Sequence, residues 1–434
     1  MVTAPRALAT LLLALGPWLV EAQVPPQGPY RDNLPAGHPA IDYHRLYRPT
    51  RHDLVGQLAE RVEAGAESLV FDRQFGYLPS LLDRLEVPND SQALVFSKTS
   101  LLSGQINPRR PRALYFNDDV SVGFVPGTGL VELMAFVPGD GVRLYTIAKD
   151  ANGDPEFARP NVCVQCHQAA ATLGVPGPYV GSVSTTATGR PDFTLGTSVT
   201  DHRTPLEDRW GGWYVTGEHG TQRHRGNTVA RDPSTPAGFV DAANQNLTTL
   251  DRFIDPDEYL LPTSDLVALM TLEHQTQMLN LFTRADWEAR IAEHDGVLDA
   301  DEQRARASLV EEIVRYMLFA DEAPLSAPVR GASSFTRTFS ERGPRDRQGR
   351  SLRELDLDTR LFRYRLSYLI YSPLFDSLAR DVRDAIYAGL LAALTTAQDS
   401  SRHLPADERR TILDIVRDTK TPLPVAWHVD PAAP

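Results

Sequence analysis

The stretch that decides the fold runs from residue 111 to residue 150: PRALYFNDDVSVGFVPGTGLVELMAFVPGDGVRLYTIAKD. Four short apolar runs lie in it: Ala113 to Phe116, Val120 to Val125, Leu130 to Val137 and Val142 to Ile147. Turn-forming clusters separate them: Asn117-Asp118-Asp119, Pro126-Gly127 and Pro138-Gly139-Asp140-Gly141. Branched and aromatic residues in runs this short, punctuated by Gly, Pro, Asn and Asp, predict an antiparallel meander. Ala93 to Phe96 predicts one more strand just upstream. Asp118 and Asp119 are adjacent carboxylates in a turn. Acid–base work needs carboxylates that face one another, so they read as turn residues.

Helical patterns lie on both sides of the meander. Leu54 to Leu85 carry Leu, Val and Phe at helical spacing, after a lead-in from Gln23 to Asp53 rich in Pro, Gly and Arg. Residues 181 to 230 read as loops with short strands. From about Leu250 the pattern turns helical, over Asp265 to Phe282, Asp286 to Ile291, Asp301 to Phe319, Leu361 to Thr396 and Asp407 to Thr419. Pro324 to Arg350 reads as a polar, Arg-rich, solvated connector. The expected class is α+β: a β-rich part over residues 23–250 packed with a helical part over residues 251–434.

A length of 434 residues suggests two or three domains. With 42% hydrophobic and 23% charged residues, the chain has the composition of a folded globular protein. A net charge of -12 argues against nucleic acid as a partner, because phosphate binding needs a basic face. Arg6, the apolar run Ala7 to Val20 and the site Val20-Glu21-Ala22 match an export leader over residues 1–22. The run is too short for a comfortable membrane span. The expectation is a periplasmic or secreted protein that starts at Gln23, with no membrane span in the mature chain.

The chain has two cysteines, and both lie in Cys163-Val-Gln-Cys166-His167. C-x-x-C-H is the spacing of covalent haem attachment. Two thiols add to the two vinyl groups of haem, and the adjacent imidazole becomes the proximal iron ligand. A dithiol of the thioredoxin kind, a zinc site and a plain disulfide are the competing readings. Zinc needs further nearby ligands, and there is no second C-x-x-C.

On this motif the chain resembles c-type cytochromes as a broad class. The local likeness covers Cys163 to about Val183. It includes Gly174-Val-Pro-Gly-Pro178, where the resemblance implies that the Pro178 carbonyl accepts a hydrogen bond from His167. The meander ahead of the motif also resembles a family of β-rich c-type cytochromes, although there the motif closes the domain. The phrases at 94–100 (LVFSKTS), 111–120 (PRALYFNDDV), 209–220 (RWGGWYVTGEHG) and 366–376 (LSYLIYSPLFD) resemble those of large exported proteins with a single haem motif. That likeness spans most of the mature chain and carries no activity. The implied cofactor is one covalently attached haem c, held by Cys163, Cys166 and His167, with His167 as axial iron ligand.

Small cytochromes place a methionine ligand some tens of residues after the motif. Here no methionine lies between Met134 and Met270. Histidines are the alternative for the sixth position. His274 shares a helical face with Val267, Met270, Met278 and Leu281. His219 and His224 lie in a segment rich in Trp, Gly and Arg, where rings pack on a porphyrin and Arg209 or Arg223 pairs with its charges. Either setting is equally that of a satisfied core histidine. Three functional classes follow. One is an electron-transfer cytochrome working with a redox partner protein or a small-molecule oxidant or reductant. Another is a haem enzyme acting on peroxide or another small molecule at an open distal site. The third is a haem-based sensor or binding module.

Overall fold

A computed structural model describes residues 33–43, 53–230, 242–296 and 298–429. The expected leader lies outside the described residues, as does much of the lead-in. The fold is α+β.

Two helices come first, α1 (Leu54–Glu63) and α2 (Leu78–Arg84). Asp53 caps α1 by accepting from the Gly56 amide. The single helical stretch expected over 54–85 is therefore two helices, parted by turns around Gly65 and Gly76, both at positive φ. The strands follow: β1 (Ala93–Val95), β2 (Arg112–Phe116), β3 (Val120–Phe124), β4 (Val131–Val137), β5 (Gly141–Lys149) and β6 (Pro155–Ala158). They pair antiparallel in chain order, as the turn signals predict, with Ser121 opposite Met134 and Met134 opposite Leu144. After the short helix α3 (Val164–His167) come β7 (Gly181–Val183) and β8 (Thr197–Val199), which form a hairpin. Strand β9 (Trp213–Tyr214) returns to pair with β1. The main sheet therefore has the order β6-β5-β4-β3-β2-β1-β9. A small ribbon joins β10 (Gly217–Glu218) to β11 (Arg330–Gly331).

The helical part contains α4 (Leu266–Asp295), α5 (Ala300–Met317), α6 (Phe335–Glu341), α7 (Pro373–Asp376), α8 (Arg380–Thr395) and α9 (Ala406–Thr419). The two patterns expected over 265–282 and 286–291 are one helix of 30 residues, about 45 Å long. The stretch 361–396 is not one helix. Ser372 caps a new start at Pro373, and Pro373 supplies no amide to continue a preceding turn. The connector 324–350 is not all solvated loop, because α6 buries Phe335 and Phe339. Asp118 does more than turn the chain: its carboxylate pairs with buried Arg353.

Alternation along the strands gives the sheet two buried faces. One face, with Tyr115, Val122, Leu133 and Ile147, packs on α1 and α2. The other, with Val95, Phe116, Phe136 and Val142, packs on α4 and belongs to the core that includes α5, α8 and α9. That core runs across the expected boundary at residue 250. Helix α4 is buried nearly all round over its first five turns, so its polar side chains must find partners inside the protein. Asp265 caps it by accepting from the Val267 and Ala268 amides. Gln275 reaches the sheet, donating to the Asn117 carbonyl at 2.8 Å.

Phe116 of β2 stacks near Phe335 of α6, with ring centres 5.8 Å apart. Truncating it removes apolar area shared by both parts. Phe116→Ala is expected to cost about 3–5 kcal/mol. Far-ultraviolet helical signal and near-ultraviolet aromatic signal are expected to melt together at the lower temperature. Separate transitions for the two parts would contradict a shared core.

Candidate functional site

Helix α3 is one turn long and ends on His167. Cys163 and Cys166 are both free thiols, the first partly buried and the second exposed. Val162 beside them is also exposed. The chain then folds back on itself. Gly177 donates its amide to the His167 carbonyl at 2.8 Å, and the Thr172 hydroxyl donates to the Val175 carbonyl at 2.7 Å.

This closed loop sets the state of the imidazole. His167 Nδ1 lies 2.9 Å from the Gly177 carbonyl oxygen. A carbonyl only accepts, so Nδ1 carries the proton and Nε2 is the bare nitrogen. Burial holds the imidazole below its ordinary pKa, against the pull of the Gly177 bond. The resemblance pointed to the wrong carbonyl. Pro178 does not accept from His167; its carbonyl receives the Asn280 side-chain amide of α4, at 2.7 Å. Gly177 is needed for that approach, since a Cβ there would overlap the Asn280 side-chain oxygen. Arg284, one turn further along α4, donates to the Leu173 carbonyl at 2.6 Å. From the other side, residues of the lead-in (Ala36, Ile41, Tyr43) cluster with Val175 and with Trp287 of α4.

The loop after the motif meets β5 beside α4, where a Cβ at Gly141 would lie 3.0 Å from the Pro176 carbonyl oxygen. Two charged side chains of the sheet act on the motif. Burial and then Glu132 push the Cys163 thiol up, and Arg112 opposes them. Arg112 and Glu132 are ion-paired at 2.8 Å. Arg112 crosses β3 over Gly123, where any Cβ would overlap its guanidinium. The Tyr179 ring stands 6.2 Å from that of His167. Next to the ion pair on the same sheet face are Leu114, Ser121, Met134 and Leu144. All four are partly buried, and Leu114 and Met134 pack against the helical core.

The other histidines singled out in the sequence are placed elsewhere. His274 is fully buried, with Nδ1 at 2.9 Å from His202 Nδ1 and Nε2 at 2.8 Å from the Ser367 hydroxyl. Its ring stacks on Tyr316 and Phe319. His219 is also engaged at both nitrogens, donating from Nδ1 to the Gln222 carbonyl and accepting the Asn246 amide at Nε2. His224 is buried edge-on to Trp210, and burial, then His219, bring its pKa down to about 3. Arg209 spends its guanidinium on Glu273, the His202 carbonyl and the Thr204 carbonyl. These residues are held in the core, and among the described residues no hydrogen bond, ion pair or ring contact joins them to Cys163, Cys166 or His167. Sequence reasoning missed His202 and Asn280, because each acts through a partner 72 or 102 residues away.

No family model, no curated protein and no solved structure matches this chain.

The Gly177–Asn280 approach and the buried histidine pair each have a measurable consequence. Gly177→Ala forces Asn280 aside, and overpacking of this kind costs about 1–3 kcal/mol. Thermal melts are expected to show that loss, with part of it recovered in the double variant Gly177→Ala, Asn280→Ala. The second concerns pH. Burial lowers the folded-state pKa of both His202 and His274. The unfolded chain therefore binds more protons in the ordinary imidazole range. The neutral pair stabilises the fold above that range and loses its effect as pH falls through it. Glu273, pushed up to about 7 by burial, works in the opposite sense, so a comparison isolates the histidines. The stability gap between wild type and His202→Phe, read by urea melts, is expected to narrow from about pH 7 to about pH 5.

Proposed function

We propose that this chain is an exported mono-haem c-type cytochrome, with haem attached through Cys163 and Cys166 and ligated axially by His167. The observation that carries the reading is the tautomer of His167. Its Nδ1–H is committed to the Gly177 carbonyl, which leaves Nε2 bare and basic, as an iron ligand must be. The two thiols are free, Cys163 at the N-cap of the one-turn helix and Cys166 within it. The partly exposed strip of Leu114, Ser121, Met134 and Leu144 beside them suits a flat apolar ring.

The local structure disfavours the dithiol alternative. A reactive thiol of that kind sits at the N-terminus of a substantial helix, which lowers its pKa. Here the helix has 4 residues, and burial and Glu132 move the Cys163 thiol the other way.

Haem supplies a one-electron iron couple. The protein's part is to hold His167 at a fixed tautomer and angle, to place Arg112 and Glu132 where their charges act on the site, and to keep one edge near solvent. Cys166 and Val162 are exposed at that edge. A surface edge suits exchange of electrons with a redox partner protein or a small oxidant or reductant, and we take electron transfer as the activity. Periplasmic or secreted placement rests on the leader sequence at 1–22. Among the described residues no helix is long and apolar enough to cross a membrane.

The test is an optical spectrum of the purified, reduced protein with and without carbon monoxide, after production with c-type maturation. A low-spin spectrum that ignores carbon monoxide is expected. A spectrum that carbon monoxide shifts would move the function to catalysis or gas sensing.

A further inference from the structure

At the C-terminal end of α4, two histidines and a carboxylate converge. His294 and Asp295 are the last two residues of the helix, and Gly296 then leaves it at a φ of 110°. Asp295 Oδ1 lies 2.8 Å from His294 Nδ1 and 3.2 Å from Nε2 of His38, which belongs to the lead-in. Among the described residues, no other three histidine, cysteine or acidic side chains bring one donor atom each within 4.8 Å of one another.

The spacing is close to that of a metal shell. Bonds of about 2.1 Å from zinc to nitrogen or oxygen put tetrahedral ligand atoms about 3.4 Å apart. The two observed separations fall just short of that, so small side-chain rotations open the space for an ion. Two imidazoles on one tetrahedral ion have ring centres about 5 Å apart. Those of His38 and His294 are 5.1 Å apart.

The donors are brought together by contacts that need no ion. Arg290 of α4 donates to the Ala40 carbonyl at 2.6 Å, and the Tyr43 hydroxyl donates to the Val142 carbonyl at 2.6 Å. Ile41 packs with Trp287 and Ile291 of α4. The side chain of His38 is 16% exposed, whereas those of His294 and Asp295 are 49% and 56% exposed, so an ion reaches the site from solvent. The C-terminal end of this 30-residue helix carries partial negative charge, which favours a cation there. Without an ion, both rings donate to Asp295. His38 Nδ1 accepts from the Ala40 amide at 3.2 Å, so its proton sits on Nε2. On binding, the ion replaces the protons of His38 Nε2 and His294 Nδ1, which leave to solvent. Each ring takes up a proton at its other nitrogen, and the long Ala40 contact gives way to a metal bond.

We infer that His38, His294 and Asp295 bind one zinc ion, with water in the fourth position, and that the ion fastens the lead-in to the end of α4. Two imidazoles and a carboxylate suit zinc and not magnesium or calcium, which take oxygen ligands. The lead-in also meets the motif loop, since the Gln168 side chain, next to His167, donates to the Leu34 carbonyl at 2.8 Å. Zinc therefore steadies the segment that borders the motif. This site stands independently of the haem reading, because the two share no residue.

The experiment titrates zinc chloride into full-length, chelator-stripped protein by calorimetry, in excess magnesium, for wild type, His38→Ala and His294→Ala. His294 is half exposed, so its replacement should leave the fold intact, and melts without zinc check this. Wild type is expected to bind one zinc ion that both variants bind more than about 10-fold more weakly, since loss of even an outer partner of a metal ligand costs that much. Zinc is expected to raise the melting temperature of wild type and leave that of the variants unchanged. X-ray absorption at the zinc edge is expected to show nitrogen and oxygen at about 2.0–2.2 Å. A shell of sulfur at about 2.3 Å would put the ion on Cys163 and Cys166 and overturn the inference. No binding by wild type, equal binding by all three proteins, or displacement of zinc by magnesium overturns it as well.

Discussion

The hydrogen bond from His167 Nδ1 to the Gly177 carbonyl is the contact on which the site depends. It fixes which nitrogen is bare and how the ring is turned. The bond is itself held by a second layer. Asn280 of α4 takes the next carbonyl, at Pro178, and Arg284 takes Leu173. The motif is therefore fastened to the longest and most deeply buried helix in the described structure. Outer partners of this kind fix the tautomer and orientation of an imidazole. Gly177 matters for its lack of a side chain, which lets Asn280 come close.

Helix α4 has a second role that follows from its burial. A helix surrounded by protein cannot send its polar side chains to water, so each must be paired. Glu273 pairs with Arg209, His274 with His202 and Ser367, Gln275 with Asn117 and Tyr368, and Asp286 with the Ala379 amide. These contacts reach the sheet, the loop before β9 and the later helices. One rod therefore sets the positions of the sheet and of the motif loop together. This explains why a single core crosses residue 250 although the composition of the chain changes there from strand-like to helical.

Much of the architecture was legible in the sequence, and the reason is local. Strands β2 to β5 declare themselves by short branched and aromatic runs between Asn, Asp, Pro and Gly turns, and the structure pairs them in that order. The C-x-x-C-H spacing is likewise contiguous, and the haem reading proposed for it rests on that local pattern. What could not be read depends on distant partners. Nothing near His274 tells that His202 sits against it, so its apolar helical face fitted a ligand as well as a core residue. Asn280 gives no local sign that it holds Pro178. The Trp- and Arg-rich segment 209–224 looked like a ligand cradle, yet Arg209 is drawn inward by Glu273. Phe335 and Phe339 were lost among the charges of their connector, where only packing on Phe116 and Phe362 shows a helix.

The most direct measurement is the intact mass of the full-length protein, denatured after production in a host that matures c-type cytochromes. The expected mass is that of the polypeptide plus one haem that survives denaturation, located by digestion to the peptide containing Cys163 and Cys166. Replacing both cysteines by serine should abolish it. A protein recovered at the mass of the bare chain, with Cys163 and Cys166 free or joined to each other as a disulfide, would contradict it.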